Sequence, residues 1–214
     1  MAIKIDIPRG KELALLLYRS FTTTGIHGHT EMPEDVAPKD VIKGSLEHIL
    51  FITQTVSIDY QRDANLLWAS ARQTYEDSET RYLFNPHLIN ETPLSKIVQD
   101  MQKYKLSKKP RKDAKIWHTV GVTFYKKWNG DPMQFLDDCQ WDAPLILKRL
   151  SMDTHLMRGI QVSDFPYLRG PKIGPLWVRM LRDNVGITQT QNLDKVPIPV
   201  DRHVVRATLA LGVV

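Results

Sequence analysis

Apolar positions recur every three to four residues through most of this chain, which is the signature of helices that bury one face. After an extended entry over residues 1–10, leucines fall at helical spacing from Lys11 to Phe21 and predict a first helix. Ser45 is placed to cap a second that runs to Gln54, and Ser57 or Asp59 a third that reaches Tyr75. Thr92-Pro93 opens a helix to Leu106, because proline in a first turn loses no hydrogen bond. Ile116, Val120, Val122 and Phe124 mark a long helix over Lys112–Trp128, stopped by Asn129-Gly130. Asp131-Pro132 starts a short helix, and Asp142–Leu150 reads as another. The stretches 22–43 and 76–90, rich in turn-forming and polar residues, read as loops. No segment alternates apolar and polar residues as a half-buried strand would, so the expected class is all-α.

The last fifty residues carry the densest local signals. Gly170 and Gly174 punctuate two apolar runs and free the backbone for a tight turn and a close approach to a partner. Pro175 suits the first position of the helix that follows. A stiff Pro197-Ile198-Pro199 approach then leads to Asp201, an N-cap for a final helix.

These residues resemble the helix-hairpin-helix (HhH-GPD, endonuclease III type) DNA glycosylase superfamily. Leu168-Arg169-Gly170 and Ile173-Gly174 stand at its glycine hairpin, with Pro171 and Lys172 inserted between the glycine halves. Val200-Asp201-Arg202-His203-Val204-Val205-Arg206 matches its V-D-x-H-V-x-R motif. The resemblance implies two helical lobes: residues 45–150 as a barrel-like lobe, and residues 1–44 with 151–214 as the second, intertwined in one domain. It implies a base-excision enzyme that hydrolyses the N-glycosidic bond of a damaged or mismatched base in double-stranded DNA. Asp201 would be the catalytic carboxylate, stabilising positive charge on the sugar and orienting water. Backbone N–H groups from Gly170 to Gly174 would hold a phosphate, with Arg169 and Lys172 adding charge. Gln54 would be the wedge that fills the gap left by an extruded base, and Arg206 a further phosphate contact. Aligning on either half of the hairpin puts Gly174 or Leu176, not a lysine, at the family's strand-cleaving position. The expected enzyme is therefore monofunctional, with Lys172 the residue through which lyase chemistry would act if it occurs. The lining of the base pocket stays open among Tyr60, Trp68, Trp117 and Trp141.

Charge sharpens this picture. The net charge is +5, and between Lys103 and Lys115 seven bases accompany one acid. Lys108, Lys109, Arg111 and Lys112 in that run are candidate phosphate contacts. Cys139 is the single cysteine, so this chain cannot by itself hold an iron–sulfur cluster, and no cofactor or metal is expected. The pair His27 and His29 reads as polar loop surface. No apolar run reaches membrane-spanning length, and the first ten residues lack an apolar signal core. The expectation is a monomer in the cytoplasm, associated with the nucleoid, or in a nucleus. Two other readings use the same residues: a DNA-binding module that has lost its chemistry, and a glycosidase acting on nucleosides or RNA.

Overall fold

A computed structural model describes residues 4–23, 31–200 and 202–214. The chain divides into two compact units, Pro33–Pro199 and a smaller one formed by the two chain ends. The hairpin around Gly170 thus shares a unit with residues 45–150. The architecture is mostly helical.

In the smaller unit, α1 (Ile7–Thr22) begins four residues earlier than the leucine spacing suggests. The reason is local: the Asp6 side chain accepts the Arg9 N–H at 2.9 Å, and Pro8 fits the first turn. The Asp6 N–H donates to the Val213 carbonyl at 2.9 Å, which ties this entry to the end of the chain. The other helix of the unit, written α10 in chain order, is Arg202–Ala210.

The larger unit is built around α2 (Leu46–Val56), whose residues from His48 to Val56 are all buried. Ser45 caps it as expected, but it continues past Gln54. The next helix, α3 (Ala64–Glu76), starts later than expected because Asp63 is its N-cap. Residues 57–63 form successive tight turns in between. The stretch expected to be irregular holds a 3-10 turn over Arg81–Phe84 and α4 (Pro86–Glu91), whose cap is Asn85. The helix α5 covers only Leu94–Asp100. It gives way to turns that include Lys105 at φ 57°.

The longest helix, α6 (Pro110–Trp128), packs against α4, α5 and α2. Asn129, in the left-handed conformation at φ 49°, ends it as the Asn-Gly pair foretold. Asp131 caps α7 (Pro132–Asp138) and Asp142 caps α8 (Ala143–Met152). The absence of strands is corrected here. β1 (Thr154–Met157) and β2 (Ile160–Ser163) form an antiparallel hairpin around Arg158 and Gly159, both at positive φ. Neither strand has a buried face, so no alternation of apolar and polar residues marks them.

After the turns at 164–172 comes α9 (Ile173–Met180), whose indole Trp177 donates to the Thr53 hydroxyl at 2.9 Å and docks it on α2. Pro175 is its third residue, not its first. The helix widens into a π turn, Leu181–Val185, closed by Gly186 at φ 94°.

Candidate nucleic-acid interface

The hairpin is held from both sides. At its start, Asp164 is only 1% exposed. Its carboxylate takes the Lys127 ammonium of α6 at 2.5 Å and Nδ1 of His155 in β1 at 2.7 Å. Its carbonyl accepts the Thr123 hydroxyl at 3.1 Å. At its end, Gly174 lies against the hairpin's own backbone. A Cβ there would sit 2.7 Å from the Leu168 carbonyl oxygen and 3.2 Å from Cδ2 of Leu147. The space expected to admit a partner at this glycine is instead taken up by the chain itself.

Two expectations for the hairpin need correction. The element ahead of Gly170 is β1–β2 and a single helical turn in which Arg169 donates to the Phe165 carbonyl at 3.0 Å. A full helix, as the helix-hairpin-helix pattern requires, does not stand there. The Gly170 and Gly174 N–H groups are also already used, donating to the carbonyls of Tyr167 and Gly170. Within the hairpin, the N–H groups of Lys172 and Ile173 at the N-terminus of α9 have no acceptor among the described residues. Pro171 and Pro175 bring no donor of their own. An anion at this end would find those two N–H groups and the positive end of the helix.

Beside the hairpin stands the basic run, and a pair of tyrosines joins the two. Tyr167, at the strained positive φ of 67°, lays its ring on Tyr60 with centroids 4.2 Å apart and planes 21° from parallel. The Lys112 ammonium lies 5.3 Å from the Tyr60 centroid and 5.0 Å from that of Tyr167. Lys109, from the same basic run, lies 5.3 Å from the Tyr60 centroid. The Tyr60 hydroxyl donates to Asp113, a carboxylate 1% exposed that also accepts the Ser107 hydroxyl and the N–H groups of Lys108 and Lys109. The one acid among the bases thus folds the run over Tyr60. Burial, and then the bond to Asp113, push the Tyr60 hydroxyl far above its ordinary pKa, so it stays a donor at any working pH. Lys108 donates to the Gln61 carbonyl at 2.6 Å, and Lys109 to its side chain at 3.1 Å. Lys108, Lys109, Arg111, Lys112 and Arg169 are exposed, while Lys172 is half-buried.

Gln54 does not belong to this surface. It is 1% exposed in the interior of α2, where its amide reaches the Trp117 carbonyl at 3.5 Å and its Oε1 has no partner. Trp68 and Trp117, both fully buried, are core side chains, Trp141 is half-buried against the core, and Tyr60 stands at the hairpin through Tyr167. Tyr167 escaped sequence reading because nothing local distinguishes it; its partner is far away along the chain. Arg206 is exposed on α10, in the smaller unit. Asp201, His27 and His29 lie outside the described residues. Among the described residues no group of three His, Cys, Asp or Glu side chains is arranged to hold a metal ion. Cys139 is buried, and burial pushes its thiol up to about 11. Among the described residues no helix is long and apolar enough to cross a membrane. No protein-family model matches the chain, and no curated protein matches it.

Proposed function

We propose that this chain is a base-excision DNA glycosylase of the helix-hairpin-helix type, gripping double-stranded DNA and removing one damaged or mismatched base by hydrolysis. The observation that carries the reading is the union of hairpin and basic run through Tyr60, Tyr167 and Lys112. Two segments distant in sequence, each read as phosphate-binding, meet at one stacked aromatic pair. Exposed lysines near aromatic rings suit a nucleic-acid backbone and its bases. The open N–H groups of Lys172 and Ile173 suit one phosphate, a contact that positions the duplex without reading sequence.

The chemistry rests on Asp201. As the glycosidic bond lengthens, the sugar gains positive charge, and a carboxylate beside the anomeric carbon lowers the energy of that state. Water then completes the substitution, and no covalent enzyme–sugar bond is formed. Lys172 is the test of that last point. Borohydride trapping on abasic DNA gives no adduct if the enzyme is monofunctional; an adduct lost in Lys172→Ala would make it a lyase.

The experiment for the function is a panel of duplexes, each with one modified base, scored for alkali-labile abasic sites, with Asp201→Asn alongside. Release of one base class that disappears in the variant supports the reading. One observation favours the second reading, a glycosylase-like module that binds DNA without chemistry: the helix expected ahead of Gly170 is replaced by the β1–β2 hairpin and one turn. That module would bind duplexes in a salt-sensitive way and release nothing.

A further inference from the structure

A cleft of about 230 Å³ opens between the start of α2, the end of α3, the 3-10 turn Arg81–Phe84, the start of α4 and the end of α6. It lies away from the tyrosine pair. Lys112 stands in the first turn of α6, and at about 1.5 Å per residue the cleft-lining Asn129 is about 25 Å further along. The floor is apolar, made by Leu50, Tyr75, Phe84 and Pro86, all of them buried. Two opposite charges line the same cleft, Arg81 and Glu47, both exposed. Arg81 is fixed from behind: its Nε donates to the Tyr75 carbonyl at 2.9 Å, and its guanidinium lies 5.1 Å from the Tyr75 ring centroid. Its two terminal nitrogens have no acceptor among the described residues, and the Glu47 carboxylate has no donor there. Opposite in charge though they are, the two do not pair with each other. Both act on one hydroxyl, that of Tyr75: burial raises its pKa first, Arg81 lowers it and Glu47 raises it. The histidine of the cleft is committed, since Nε2 of His87 meets the Asn129 carbonyl at 3.0 Å.

We propose that this cleft binds a free α-amino acid with an apolar side chain. The ligand carboxylate lies on the terminal nitrogens of Arg81, whose planar fork matches it in two parallel hydrogen bonds. The ligand ammonium faces Glu47. The side chain enters the apolar floor, where the Tyr75 and Phe84 rings, edge to face with centroids 5.2 Å apart, offer it contact. Charge balance selects the zwitterion. A simple anion such as phosphate gains Arg81 but is repelled by Glu47, and a cation meets the reverse. A peptide end brings only one of the two charges. Size agrees: about 230 Å³ falls below the roughly 300–1,000 Å³ of clefts that take drug-sized ligands, so a single amino acid is in scale and a nucleotide is not. The proposal goes beyond the DNA reading and shares no residue with it.

The test titrates the full chain with L-phenylalanine and with three probes that each remove one feature. L-phenylalaninamide lacks the carboxylate, hydrocinnamate lacks the ammonium, and glycine lacks the side chain. Amide chemical shifts in NMR spectra follow binding. L-phenylalanine is expected to saturate with a Kd of about 1 mM or tighter, shifting the amides of Glu47, Tyr75, Arg81 and Phe84. The amide and hydrocinnamate should bind about 5- to 20-fold more weakly, between the worth of an exposed ion pair and that of a hydrogen bond to a charged group. Glycine should not saturate, having nothing to bury. Glu47→Gln should bring hydrocinnamate and L-phenylalanine within about twofold of each other, and Arg81→Gln should do the same for the amide. The comparison of probes on wild-type protein needs no variant to fold. No saturation by L-phenylalanine, equal affinity for the amide or for hydrocinnamate, or discrimination that survives both variants overturns the assignment.

Discussion

Gly174→Ala is the sharpest probe of how the hairpin is built. A methyl group at this position enters space already filled: the Leu168 carbonyl oxygen would be 2.7 Å away and Cδ2 of Leu147 3.2 Å away. The leucine end can rotate, but the carbonyl belongs to the hairpin's own backbone and can move only if the turn moves. Overpacking of this kind costs about 1–3 kcal/mol. Alanine is the better helix former by at most about 1 kcal/mol, and at the second residue of α9 only part of that gain is realised. The net expectation is a loss of about 1–2 kcal/mol, since the steric term outweighs the propensity term. For a chain of this size each kcal/mol moves the melting temperature by about 2–4 °C, so the variant should melt about 2–8 °C lower. Thermal unfolding followed by circular dichroism reads the shift. The turn also carries Tyr167 onto Tyr60, so duplex affinity should fall alongside stability. A variant as stable as wild type, or more stable, would refute the close-approach argument.

Other consequences can be checked independently. Replacing both Lys109 and Lys112 by alanine should weaken duplex binding and flatten the slope of log K against log salt by about two, since each phosphate contact contributes about 0.9. Gln54→Met removes a buried Oε1 that has no partner, so stability should hold within about 1 kcal/mol of wild type or rise, with duplex affinity unchanged; a loss of affinity would restore Gln54 as a wedge. Asp113→Ala strips four donors of their acceptor and should cost about 2–4 kcal/mol in urea unfolding, with the Tyr60 ring released from Tyr167. The Asp77 carboxyl, held down to about 2 first by the Lys103 ammonium and then by the Glu79 N–H, contributes stability above its ordinary value near 3.8 and loses it as pH falls toward 2; an NMR titration with a midpoint near 3.8 would contradict this.

Local signals in the sequence were legible and the non-local ones were not. Ser45, Asn129, Asp131 and Asp142 act as the boundaries that their chemistry implies, because a cap is decided within three or four residues. Asp59 looked like a cap for the same reason, but Asp63 holds that role. Gln54 looked like a polar helix end because α2 is buried all round; in such a helix a polar residue no longer marks a surface. The β1–β2 hairpin left no periodic trace, its strands having no buried face. The basic run could be seen in the sequence, but its shape could not. That shape depends on Asp113 drawing in Ser107, Lys108, Lys109 and Tyr60, and on Tyr60 meeting a tyrosine more than a hundred residues away. The hairpin glycines were expected to open the backbone to a partner, but Gly174 lies against the chain's own Leu168 carbonyl, and the N–H groups without an acceptor among the described residues are those of Lys172 and Ile173.

The central claim is that this chain releases a base from duplex DNA through Asp201. The most direct measurement is abasic-site formation across single-lesion duplexes, with wild-type protein and Asp201→Asn compared at equal occupancy of the DNA. The account predicts release of one base class by wild-type protein, a loss of at least about a hundredfold in the variant, and undiminished binding. Salt-sensitive binding with no release from any duplex, or release that Asp201→Asn leaves intact, would contradict it.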